Sequence, residues 1–174
     1  MVGTAALAAV LMAAPAGAWA LGFGAEVGRV QAKAGPTGDT KGVFGRLGLI
    51  GPLDLQLDYA KSEYEGDRSD SRYGIGLRLE PFHISEHWIP ALWAGTGVID
   101  VNTPTYQGRL AFTELGLGIV YAFNEHVRLE LDLRQGNQDV FVKGKNEPTP
   151  PTSVVASKDG DQYRSGSLAL SIDF

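Results

Sequence analysis

Cysteine is absent from the 174 residues, so no disulfide can staple the chain and its stability must come from its architecture. Basic residues are in the minority. Fifteen Lys and Arg stand against 20 Asp and Glu, a net charge of −5, which is the wrong sign for neutralising phosphates and argues against nucleic acid as a partner. Long apolar runs are lacking beyond the first 20 residues, and the mean hydropathy is −0.06, which excludes a polytopic helical membrane protein. Sustained 3.6-residue periodicity is missing as well. What the chain does have is glycine, 23 of them, with neither a collagen period nor a linker tract to account for it.

Residues 1–20, MVGTAALAAVLMAAPAGAWA, contain no Asp, Glu, Lys or Arg. An Ala-rich apolar stretch runs through Met12, Pro15 and Gly17 break it, and Ala18-Trp19-Ala20 supplies the small residues that a signal peptidase reads. This segment is expected to be an export signal, although no cation stands near Met1; the other reading is an N-terminal membrane anchor. Residues 21–174 are expected to form one domain.

Within that domain, period-2 alternation recurs over segments of about eight to ten residues. In Leu53-Asp54-Leu55-Gln56-Leu57-Asp58-Tyr59 every odd position is apolar and every even one polar, and Val127 to Arg134 repeats the pattern. Further segments run over 72–79, 114–123 and 165–174, with weaker ones over 21–33, 43–50 and 90–101. The chain therefore reads as all-β with eight strands.

Alternation alone leaves the facing open. A soluble sandwich or ligand-binding barrel would turn Leu and Ile inward, whereas a membrane barrel turns them to lipid and packs polar residues inside. Three features favour the second arrangement. Glycine shares the polar face, as at Gly74, Gly76, Gly95, Gly97, Gly116 and Gly118, which suits an interior just wide enough for side chains. Connections alternate in length: Gly51-Pro52, 80–88 and Asn124-Glu125-His126 are short or intermediate, while 35–42, 61–71, 101–110 and 136–162 are longer. Finally, Leu168, Leu170, Ile172 and Phe174 share one face of a terminal aromatic-ended strand.

The closing S-G-S-L-A-L-S-I-D-F, the block from Leu115 to Arg134 with its short turn, and the Gly-rich Pro90-Ala-Leu-Trp-Ala-Gly-Thr-Gly97 together resemble the small outer-membrane β-barrel family. That group includes the OmpA transmembrane domain, OmpX/Ail and the Opa-type surface proteins. Trp93 stands where a glycine is more usual in the fifth strand, which leaves that strand's facing open. The resemblance implies an eight-stranded antiparallel up-and-down transmembrane barrel in the bacterial outer membrane, with turns and both termini periplasmic and long loops extracellular. It also implies insertion by the outer-membrane assembly machinery after escort by periplasmic chaperones, with Leu170, Ile172 and Phe174 in the assembly signal. A monomer without cofactor is expected.

By parity the lumen receives Glu26, Arg46, Asp54, Asp58, Arg72, Arg78, Glu80, Glu114, Arg128, Glu130, Asp132 and Arg134. Buried charges of both signs are expected to pair and to plug the barrel; the alternative is a narrow ion-conducting pore. Arg128 and Arg134 beside Glu130 and Asp132, facing Glu114, are the expected centre. Arg29 and Lys33, with Lys41 nearby, are candidates for contact with lipopolysaccharide phosphates; charges simply reaching water are the plain alternative. Function is expected in the loops, as a structural or adhesin-like surface role toward a host or surface ligand. The loop 136–162 carries Pro148 to Thr152 at its tip, with Val140 to Val142 and Val154-Val155 as hairpin extensions. A lipid A-modifying enzyme is the runner-up, but His83, His87 and His126 all fall in short turns. Metal sites from His83 and His87 with Glu80 or Glu86, or from Asp67, Asp70, Asp159 and Asp161, lack recognisable ligand spacing.

Overall fold

The computed structural model describes residues 20–32, 36–65, 67–104, 106–140 and 161–174. It contains eight strands: β1 (Leu21–Ala32), β2 (Thr37–Ile50), β3 (Leu53–Tyr64), β4 (Arg68–Leu79), β5 (Trp88–Thr103), β6 (Tyr106–Ala122), β7 (Val127–Val140) and β8 (Asp161–Asp173). Each pairs antiparallel with the next, and β1 pairs with β8 from Gly22 opposite Asp173 to Ala32 opposite Tyr163, closing the barrel. Closure satisfies every ladder and leaves no free edge, which a chain crossing lipid requires.

The two periodic faces sort as a membrane barrel demands. On β7, Leu131 and Leu133 are exposed while Glu130, Asp132 and Arg134 are buried. On β8, Leu168, Leu170 and Ile172 point outward and Ala169 and Ser171 inward. Aromatic residues mark both borders of the apolar band. Tyr59 and Tyr73 lie 5.1 Å apart at one border; at the other, Trp88, Tyr121 and Phe123 form a chain with centroids 4.9 and 5.1 Å apart, and Phe23 meets Phe174 at 6.5 Å.

The turns on the rim that carries the termini follow from local chemistry. Gly51 takes a left-handed φ of +57° before Pro52, a conformation open to glycine at little cost. Asn124 Oδ1 accepts hydrogen bonds from the backbone N–H groups of His126 and Val127, both at 2.8 Å, an Asx-type closure of the β6–β7 turn.

Inward glycines make room for particular neighbours. A Cβ on Gly74 would strike the Asp58 carboxylate, one on Gly116 the Arg134 stem, and one on Gly118 the Asp132 carboxylate. Gly76 and Gly95 lie under the Trp93 indole. A fifth strand with Trp93 inward and Leu92 outward thus settles the facing that the sequence left open.

The opposite rim differs from expectation. Residues 37–42, 61–64, 68–71, 101–103 and 106–110 are strand, so three of the four expected long loops shrink to the few residues that separate β1 from β2, β3 from β4 and β5 from β6. The reason is a change in which face is apolar. In the membrane band of β6, Leu115 and Leu117 face out, but nearer the rim Leu110 and Phe112 face in and are fully buried, while Gln107 is exposed. On β5, Ile99 and Val101 face in and pair with Leu110 and Gly108. Ile99, Val101, Leu110, Phe112 and Tyr163 form an apolar cluster inside the barrel. A scan for outward apolar alternation stops where the apolar face changes sides, although the strands continue. Seventeen residues of β6 extend about 55 Å and, tilted, rise about 40 Å, against an apolar band about 25 Å tall. The remainder is a collar, polar outside, whose inner face is apolar on β5 and β6 and polar on β3 and β4, where Ser62, Arg68 and Asp70 are buried. The Val154-Val155 and Phe141-Val142 extensions and the Pro148 to Thr152 tip, like Lys33, Asp159 and residues 1–19, lie outside the described residues.

Candidate functional site

All twelve lumen residues named from parity face the barrel interior, and they separate into layers. Nearest the terminal rim, Arg128 bridges Glu80 at 2.9 Å and Asp173 at 2.6 Å. Above it Arg78, which is fully buried, contacts Glu80 at 3.1 Å, Glu130 at 3.0 Å and Asp132 at 3.2 Å. Arg46 meets Glu130 in a bidentate pair at 2.7 and 2.5 Å and donates its Nε to Gln56 at 2.8 Å. Ser171 donates to the same carboxylate at 2.5 Å. Glu130 therefore receives two guanidinium groups and a hydroxyl, the fork geometry that makes arginine suited to buried carboxylates.

The next layer centres on Glu114. Arg72 pairs with it, Trp93 Nε1 donates to it at 2.6 Å and Tyr163 Oη at 2.8 Å. Arg134 lies 3.4 Å from Glu114 and 3.5, 3.8 and 3.9 Å from Asp132, Glu26 and Asp58. Its guanidinium also stacks on Trp93, 4.8 Å from the ring centroid. Asp58 is held at ion-pair range by Arg72 at 3.5 Å. Above these charges a cavity of about 40 Å³ is bordered by Glu26, Thr40, Ser62, Arg72 and Tyr163, room for a few water molecules. The mouth is crossed by a further buried pair, Arg68 with Asp70 at 2.5 Å, and Arg68 stacks on Tyr64 at 4.4 Å.

The centre of the network keeps Glu130, Asp132, Arg134 and Glu114 of the expected one, but not Arg128. Glu130 and Glu114 are its two hubs, served by Arg46, Arg78 and Arg72, whereas Arg128 sits at the rim and Arg134 is shared among four carboxylates. Asp54 faces inward, half-buried, with no ion-pair partner among the described residues. Asp70 and Asp161, expected as loop carboxylates, are buried inside strands β4 and β8. Sequence reasoning did not assign Trp93, Tyr163, Gln56, Ser171, Asp173 or Arg68 to the network; Gln56, Ser171 and Asp173 lie on the polar face of segments already read as strand, and continuing the parity of β4 back to Arg68 would have found a fourth.

The three histidines lie in the short turns. His87 Nδ1 is 3.0 Å from the Ala122 carbonyl oxygen, and His126 Nδ1 is 3.0 Å from that of Asp173. The backbone N–H of His87 donates to Ser85 Oγ at 3.4 Å. On the outer surface near the opposite rim, Arg29 is paired with Asp39 at 3.1 Å, both exposed.

A closed eight-stranded barrel with an apolar outer band, aromatic borders and an ion-paired interior is the fold of the small outer-membrane barrels. Neisserial surface protein A has this fold, matching at a TM-score of 0.64 and 13% identity, over 90% of this chain and 97% of its own. The N-terminal β-barrel domain of Pseudomonas aeruginosa OprF matches at 0.56 and 16% identity, over 88% of this chain and 97% of that domain. No protein-family model matches the chain, and no curated protein does.

Proposed function

We propose that this chain is a bacterial outer-membrane barrel that catalyses no reaction and serves a structural or surface-interaction role. Its short turns and termini stand in the periplasm, and the collar with the 141–160 segment stands outside the cell. The observation that carries this reading is the division of each long strand: a lipid-facing band with a solid charged interior, then a polar collar rising beyond it. A chain whose only task was to span the bilayer would have no use for about 15 Å of extra wall. The collar and the residues between β7 and β8 form the surface that a host or surface ligand would meet, in place of the four loops expected from sequence.

Insertion is read as the work of the outer-membrane assembly machinery acting on β8, with Leu170, Ile172 and Phe174 outward, after escort by periplasmic chaperones. Both hub carboxylates are saturated with arginine, which supports a closed lumen over a conducting one. A lipid A-modifying activity would need a nucleophile and base at the outer rim. The histidines sit at the other end, which counts against it.

Fractionation with electrophoresis of unboiled and boiled samples tests the placement, and a membrane-impermeant label at Ser153→Cys tests the orientation. Outer-membrane recovery, a heat-modifiable band and labelling on whole cells are expected. Recovery in the soluble periplasm without a band shift overturns the membrane reading, and labelling only after lysis overturns the orientation.

A further inference from the structure

The wall of the barrel has a notch on the rim that carries the termini. β4 and β5 pair as far as Leu79 opposite Leu92, but β5 begins at Trp88, so residues 88–91 run on beside β6 with no ladder partner from β4. That stretch is about 14 Å long, of which about 10 Å lies along the barrel axis once the strand is tilted. The ladder stops for a local reason. The same register continued would set Pro81 opposite Pro90, and neither has an N–H to give. The Trp88 carbonyl points into the notch, where it accepts from the N–H groups of Ile84 at 2.8 Å and Ser85 at 3.5 Å. Pro90, two residues further on, faces the same way along the strand and brings no donor, as suits a strand edge that no neighbour covers.

The segment that returns beside this edge is apolar where it is most exposed. Phe82 and Ile84 are 61% and 64% exposed, although the other turns of this rim, Gly51-Pro52 and Asn124-Glu125-His126, carry no large apolar residue. Leu77 and Leu92, exposed residues of the lipid-facing band, lie on the strands above, and Trp88 stands against Tyr121 in the lower aromatic border. The Glu80 N–H donates to the Pro52 carbonyl at 2.9 Å, which ties the start of the segment to the β2–β3 turn, where Ile50 is exposed as well. The apolar surface is therefore continuous from the band, across the notch, to the segment that fills it.

We infer that Phe82 and Ile84 dip into the inner, phospholipid leaflet at the boundary of headgroups and acyl chains, and complete the lipid-facing surface where β4 runs out. The β4–β5 connection is then a membrane contact and not a turn standing free in periplasmic water. Irregular backbone is kept out of the hydrocarbon core by its unpaired polar groups, but side chains reaching in from the interface bury apolar surface as the face of an interfacial helix does. This inference rests on the membrane placement proposed above, whose failure would appear separately as loss of the heat-modifiable band.

The chain has no cysteine, so a single introduced thiol carries a single probe. The full chain with Ile84→Cys is labelled with a nitrobenzoxadiazole fluorophore, folded into vesicles of phosphatidylethanolamine and phosphatidylglycerol, and quenched by iodide from the water or by doxyl-labelled phospholipid from within the bilayer. The same probe at Asn124→Cys, in the β6–β7 turn of the same rim, is the reference, so the orientation of the barrel in the vesicle affects both alike. The Ile84 site should be several-fold less accessible to iodide than the Asn124 site, and the order should reverse with the doxyl lipid. Adding Phe82→Asp should return the Ile84 probe to iodide while the heat-modifiable band persists, and Phe82→Leu should leave it shielded. Equal iodide quenching at the two sites overturns the inference and leaves the patch to a periplasmic protein. Shielding that survives Phe82→Asp overturns it too, because Phe82 would then not hold the segment in the leaflet.

Discussion

Glu130 shows how tightly a narrow lumen binds its residues to one another. It is fully buried, and its partners arrive from three other strands: Arg46 from β2, Arg78 from β4 and Ser171 from β8. Replacing it with Ala strands two guanidinium groups in an interior that water reaches poorly, and removing one partner of such a pair costs roughly 3–5 kcal/mol. The Glu130→Ala barrel should therefore unfold at distinctly lower urea, followed by loss of the fast-migrating unboiled band. Glu130→Gln should fall between that variant and wild type because Ser171 and one arginine nitrogen keep an acceptor. A wild-type midpoint for Glu130→Ala would mean that the lumen is wet enough to screen the loss.

Facing was legible for residues such as Glu130 because strand parity needs only neighbouring positions. Partnership was not, since Arg46 and Glu130 are 84 residues apart, and which residues meet across the lumen depends on the stagger of the closed sheet, which no single strand encodes. Trp93 was legible as an exception to the glycine pattern. Its role as a donor to Glu114 needed the structure, because that contact links a tryptophan on β5 to a carboxylate on β6 by side-chain reach.

At the scale of the strand, the instructive element is β6. Its lower part carries apolar residues outward and its upper part carries them inward, so one strand serves two solvents in succession. Charge on its outer face should thus have a cost that depends on position. Leu117→Arg, in the lipid band, should destabilise the barrel in bilayers by about 2–4 kcal/mol. Gln107→Arg, on the collar, should change stability by less than about 0.5 kcal/mol. Equilibrium unfolding in lipid vesicles separates the two, and equal costs would mean that the apolar band reaches the rim. The same inversion explains why the ends of the strands escaped detection: the stretch from Lys61 to Ser71 is polar enough to read as loop, yet Ser62, Arg68 and Asp70 are its buried face.

For the whole molecule, the layers of ion pairs act in series. An ion crossing the barrel would have to displace Arg78 from Glu130 and Asp132, pass the Glu114 hub, and then part Arg68 from Asp70 at the mouth, beside the Ile99, Leu110 and Phe112 cluster. Planar bilayers containing the purified barrel should show no large, stable unitary conductance at neutral pH. Large steady openings would require the hubs to part, and would restore the pore reading.

The fifth strand leaves the molecule with a built-in pair of optical probes. Trp88 and Trp93 are five residues apart on one strand but on opposite sides of the wall, 45% and 4% exposed. Trp88 rests among the border aromatics against Tyr121, while Trp93 is pinned between Arg134 and Glu114. With Trp19 replaced by Phe, brominated acyl chains would quench the first and spare the second, so the residual emission reports the state of the sealed interior while the quenched fraction reports its depth in lipid.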